Sequence, residues 1–219
     1  MQRDFRKYTI YDNMTPVAVA SSTNASPSVI TATAHGFSVG QRIMIQGHTT
    51  NTAVNGIWIV ATVPSANTFT IQDEFTGAAV AGNGVGASGI CFPAPYILPG
   101  ADFRDIIIEI TTMGTATTTL KVAGTSGRPD NATNAISPRK DMPNFGSTVN
   151  AGNGNYSFLQ VINLDTGAAV NGVTGIVVGG TDINNQYEIN FNVQTYIAIY
   201  PITWTAGAIT VVAILANNQ

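Results

Sequence analysis

The chain has 219 residues, enough for one large β-domain or two small ones. Charged residues make up only 10% of it and the formal net charge is −3, against about 25% charge in an average globular chain, which argues against disorder by charge repulsion and against non-specific nucleic-acid binding through a basic surface. The single cysteine, Cys91, excludes an internal disulfide framework, and no uncharged apolar run reaches the ~18 residues of a membrane helix.

Thr, Val, Ile, Gly and Asn take the place of charge. The first three suit pleated strands and the last two suit turns. Helical periodicity is nearly absent, and short apolar runs punctuated by Gly, Asn and Pro predict an all-β protein. A surface this poor in charge stays soluble less readily by itself, a first hint that much of it is covered in an assembly.

Residues 1–27 read as a lead-in arm or short strand. The opening "MQRDFRKYTIYDN" has charges but no apolar core of signal-peptide length, so export by that route is not expected. Residues 28–92 read as a small β-barrel module. "SVITATAH" alternates, "GFSVG" turns, and "QRIMIQG" puts Ile43 and Ile45 on one face with Arg42, Met44 and Gln46 on the other. "IWIVATV", "PSAN" and "TFTIQD" predict a hairpin, and a glycine-rich loop then leads into the short strand "ICF". "PAPYILPG", residues 93–100, reads as a stiff proline-rich linker. Residues 101–219 predict an antiparallel β-sandwich with jelly-roll or Greek-key connections. Its strands are "DIIIEIT", "TTTLKVAG", "YSFLQVIN", "GIVVGG", "QYEINFNV", "TYIAIYPIT" and "AITVVAIL". The polar stretch from Thr125 to Asn155 interrupts them, and its length marks it as a candidate surface for reaching a neighbour.

Few groups suggest chemistry. His35 ends a strand just before Gly36, where a corner role fits better than catalysis, and no G-x-S-x-G elbow accompanies it. His48 has no His or Cys partner at metal-ligand spacing. "GVGASG", Gly84–Gly89, matches the dinucleotide glycine pattern in form only, since the prolines of "ICFPAP" forbid the helix that pattern requires. The carboxylates single out no acid pair, and no calcium-loop pattern occurs; "GGTDINNQ" reads as a plain turn, with an ion held by side-chain and backbone oxygens as the alternative. No catalytic, cofactor-binding or metal-ligating residue is therefore assigned, and the chain is not expected to be an enzyme.

The stretch "ITATAHGFSVGQRIMIQGHTTNTAVNGIWIVATVPSANTFTI" holds, in order, His35, Gly36, Gly40, Arg42, Gly47, Asn55, Gly56, Trp58, Thr68, Phe69 and Thr70. It resembles a small β-barrel module of tailed-bacteriophage virion proteins, similar to a half-domain of ubiquitin-activating enzymes. Nothing resembles the catalytic domains of those enzymes, so no activity follows. The closing "YEINFNVQTYIAIYPITWTAGAITVVAIL" is similar to β-sandwich domains that end many phage structural proteins. The two resemblances together imply a virion structural protein.

Within that class the expectation is a capsid decoration or cement protein at the capsid surface. It would bridge major capsid subunits as a homo-oligomer, a trimer by expectation, without nucleic acid, membrane or cofactor. The candidate interface residues are Phe5, Tyr8 and Tyr11 on the lead-in, Arg128, Arg139, Lys140 and Phe145 in the long polar stretch, and Tyr156 at its end. The alternatives are a tail, baseplate or fibre-attachment adaptor, which would sit in the virion in few copies, and a carbohydrate-binding receptor module, which would need an exposed aromatic groove. Removing residues 1–20 is expected to leave both modules folded but to weaken incorporation into the virion.

Overall fold

A computed structural model describes residues 4–94, 96, 98–99, 105–125, 156–172, 174–181, 184–189 and 196–217. Among them, the structure is all-β. Strand β1 is Asp4–Met14. Then come β2 (Val17–Ala18), β3 (Ser21–Ser22), β4 (Val29–Thr31), β5 (Arg42–Gln46), β6 (Gly56–Ser65), β7 (Thr68–Gln72) and β8 (Ile90–Pro93), with one 3-10 turn, Thr52–Val54, between β5 and β6. After these lie β9 (Leu98–Pro99), β10 (Asp105–Met113), β11 (Thr115–Thr125), β12 (Tyr156–Phe158), β13 (Val161–Asn163) and β14 (Ala169–Val170). The last are β15 (Ile176–Thr181), β16 (Asn184–Ile189), β17 (Tyr196–Trp204) and β18 (Ala208–Asn217). The strands form three antiparallel sheets in two compact units.

One unit holds Pro16–Ala94. Its seven strands run in the order β2-β8-β5-β6-β7-β4-β3. The sheet is open, not the closed barrel the sequence suggested: its end strands β2 and β3 each have one strand neighbour among the described residues. Ile43 and Ile45 face a core with Ile30, Val60, Phe69, Ile71 and Cys91, as strand alternation requires. The β6–β7 hairpin closes on Ala66 and Asn67, so β6 runs two residues further into "PSAN" than the sequence implied. Pro64 stays inside β6 because the ladder carries an extra residue between Thr62 and Ser65, and a bulge tolerates the missing N–H.

The other unit is sandwich-like. One sheet runs β1-β18-β10-β16-β13-β14 and the second β12-β11-β17-β9, with β15 also on β11. The chain passes from one sheet to the other between β10 and β11, β12 and β13, β14 and β15, and again at each step to β18. In "DIIIEIT", Ile106, Ile108 and Ile110 are fully buried, and they lie opposite Leu215, Ala213 and Val211, which are buried too.

The lead-in expected over residues 1–27 divides. β2 and β3 belong to the seven-stranded sheet, whereas β1 pairs along β18 at the other end of the sequence. Two bulges explain why strand alternation hid β1. Tyr8, Tyr11 and Met14 are spaced by three, yet they lie opposite Ala213, Val211 and Ile209, spaced by two. Each bulge absorbs one residue, so a three-residue period still lays one row on the buried face. At the second bulge Asn13 takes φ 46° and donates its N–H to Thr210 Oγ1 at 3.0 Å.

Candidate functional site

His35 lies in the loop after β4, 5% exposed. Its Nδ1 accepts the Phe37 N–H at 2.9 Å, and its Nε2 faces the Ser65 carbonyl at 3.4 Å. An accepting Nδ1 puts the ring proton on Nε2. The ring packs 5.3 Å from Phe37 and 5.0 Å from Phe69. A general base in a triad needs the opposite arrangement, with Nδ1 donating to a carboxylate. His35 holds a corner.

The most concentrated polar cluster surrounds His48, just past β5 and 2% exposed. Its Nδ1 accepts the Asn51 N–H at 3.1 Å, so Nε2 carries the proton and donates to Ser22 Oγ at 2.8 Å. A serine facing a histidine suggests a nucleophile and its base. Here the histidine donates to the serine, and the group that orients it is a backbone amide, so it cannot take the serine proton in this tautomer. Asn51 Nδ2 reaches Ser22 Oγ at 3.0 Å, the Thr23 carbonyl at 3.2 Å and Ser28 Oγ at 3.3 Å. Its Oδ1 accepts the Asn83 N–H at 2.9 Å. Asn55 brackets the His48 backbone, accepting its N–H at 2.9 Å and donating to its carbonyl at 2.8 Å. Burial pushes the His48 pKa below its usual value, and a bond to the Gly86 carbonyl partly offsets this.

The glycines of the following loop are packing residues. A Cβ on Gly82 would strike the Thr23 carbonyl, one on Gly84 the Thr50 carbonyl, and one on Gly86 the Thr50 hydroxyl. Gly89, at φ +85°, lies against the Gln46 carbonyl. Their spacing serves close backbone approach, not a phosphate.

Arg42, Lys121 and Cys91 are held within the fold. Arg42 Nε pairs with Glu74 Oε2 at 3.2 Å. Lys121, buried on β11, donates to the Gly172 carbonyl at 3.3 Å, and burial lowers its pKa. Cys91 is fully buried and its thiol is pushed up to about 12. Among the described residues no group of three or more His, Cys, Asp or Glu could hold a metal ion.

The expected interface residues separate. Phe5 is 59% exposed on β1. Tyr8 is half-buried and stacks on Tyr96, with ring centroids 5.4 Å apart. Tyr11 is buried in the core, because the first bulge turns it inward. Tyr156 begins β12, and Arg128, Arg139, Lys140 and Phe145 lie outside the described residues. Tyr96, itself 51% exposed, was legible only as part of the proline-rich stretch. Among the described residues β1 has a strand neighbour on one side only, and Asp4, Arg6, Lys7 and Asp12 crowd onto it in a chain otherwise poor in charge. Charged side chains on an edge strand discourage indiscriminate strand pairing.

No family model matches this chain, and no curated protein matches it by sequence.

Proposed function

We propose that the chain is a structural protein of a tailed-phage virion, acting as a capsid decoration or cement protein that bridges major capsid subunits. The observation behind this reading is the outer edge of β1. It is an eleven-residue strand with a neighbour on one side among the described residues and with Phe5 exposed. An extended edge offers main-chain donors and acceptors to a strand of a partner, and Phe5 adds apolar contact. The sequence resemblances support the same class. The engagement of both histidines with backbone amides is compatible with a role played through surfaces. Repeated across a symmetric lattice, weak single contacts sum to lasting attachment. The protein would act as a homo-oligomer, a trimer by this reading, with the major capsid protein as its partner.

Quantitative mass spectrometry of purified particles tests the proposal. Copies in proportion to the major capsid protein are expected. A handful per particle would move the protein to a tail or fibre-attachment role, and absence from the particle would overturn the virion reading.

A further inference from the structure

We propose that His48 is an acid-sensitive latch: protonating its ring releases the glycine loop 82–89 from the Ser22–Ser28 segment and from the turn at Thr52–Val54, opening that corner of the Pro16–Ala94 unit. Three chain segments distant in sequence meet at this one ring. Ser22 comes from β3, Asn51 leads into the 3-10 turn, and Ser88 comes from the glycine loop with its Oγ 3.4 Å from Nδ1. Asn51 repeats the connection, donating to Ser22 and Ser28 and accepting from Asn83.

A proton can enter only at Nδ1, since Nε2 already carries one. There it meets the Asn51 N–H, and two donors then face each other 3.1 Å apart. The acceptors at hand, Ser88 Oγ and the Gly86 carbonyl, are both neutral, and Ser88 Oγ already takes the Thr49 N–H at 2.9 Å. The new charge has no anion to meet. β3, the turn and the glycine loop bring only Ser, Thr, Asn and backbone groups to the ring. On β5 the charged group is Arg42, paired with Glu74, and on β8 the titratable group is Cys91, neutral because burial holds its thiol at about 12. A buried charge without a partner is costly, and opening the corner to water removes that cost. The glycine loop is the part expected to open, because close backbone approaches and polar bonds of Asn83 and Ser88 hold it.

Burial lowers the His48 pKa in the folded state below the unfolded value of 6.5. The stabilisation is therefore complete above the unfolded pKa and is lost as pH falls through the folded one. For one proton, opening of the corner should grow by up to about tenfold per pH unit below about 6.5 and level off once the folded ring is protonated.

Hydrogen exchange of the full chain, corrected for the intrinsic effect of pH, tests this between about pH 7.5 and about pH 4.5, a window that brackets the ordinary histidine range. The amides of residues 82–89 should lose protection on that schedule while those of β6 and β7 do not. In His48→Asn the side-chain oxygen can still accept the Asn51 N–H but takes no proton, and its profile should be flat. His35→Asn should keep the wild-type response. A flat wild-type profile, or the full slope persisting in His48→Asn, would overturn the latch. Should His48→Asn not fold, ring NMR of the wild type decides. Loop amide shifts must titrate together with the His48 ring, and loop shifts that ignore its titration sink the proposal.

Discussion

Asn51 shows how one side chain can hold a loop assembly together. Every polar atom of its amide is engaged, and its own N–H caps His48. Asn51→Ala would orphan the Asn83 N–H and strip Ser22 and Ser28 of a donor inside a buried site. A loss of about 1–3 kcal/mol is expected for such unsatisfied groups. Cys91 supplies the measurement. Its thiol is fully buried, with Sγ 3.4 Å from the Val17 carbonyl, so a thiol reagent reaches it only when the Pro16–Ala94 unit opens. Labelling under native conditions should accelerate by about fivefold to about a hundredfold in Asn51→Ala, at about 1.4 kcal/mol per decade. Unchanged labelling would mean that the amide contributes nothing net. None of this was readable in the sequence, where Asn51 is one asparagine among many in a Thr- and Asn-rich loop. The roles of Ser22, Asn51 and Ser88 exist only once separate turns converge.

At the scale of elements, β1 joins a buried row that serves folding to an exposed edge that the proposal uses for attachment. Its inner row includes Tyr11 and Met14, both buried against β18, and Ile10 is buried as well. Removing residues 1–20 deletes these side chains together with β2 and the core residue Val19. The truncated chain is therefore expected to melt well below the intact one, since each large core side chain lost costs about 2–5 kcal/mol. That reverses the expectation of an appendage that can be removed at no cost to the fold. A deletion would then confuse misfolding with poor attachment. Phe5→Glu is the cleaner probe, because Phe5 is mostly exposed. It should leave the melting temperature within about a degree or two, as surface changes usually stay within about 0.5 kcal/mol. It should also reduce incorporation into particles. Normal incorporation would remove the β1 edge from the proposed interface. Long alternating strands such as "DIIIEIT" and the β6–β7 hairpin were legible because one period governs them. β1 was not, because its bulges replace a period of two with a period of three, and only the partner strand supplies the missing reference. The first sheet's failure to close was equally hidden, since no single strand's period says which strands end the sheet.

Charge acts at the scale of the whole molecule. The chain carries 9 basic and 12 acidic residues, with a pI near 5.1. Its net charge of −3 at pH 7 is small for its length and shrinks toward zero as pH falls. Electrostatic repulsion between copies then vanishes while the exposed apolar groups, Phe5, Val39, Phe75, Val85 and Val177 among them, remain. The isolated protein should therefore self-associate most strongly near pH 5, and light scattering across the titration should peak there and fall again on the acid side. This maximum belongs to the summed charge and not to the latch, so His48→Asn should scatter as the wild type does while its loop stays protected. Should the scattering maximum vanish in that variant, association would instead depend on surface exposed by the open corner. Were copies to associate in this way, the charged Arg6, Lys7 and Asp12 on the long edge strand would limit where contact forms. Reversing Arg6 and Lys7 to Glu would raise the net charge to −7 and shift the scattering maximum to lower pH, with the size of the shift measuring how far net charge governs association.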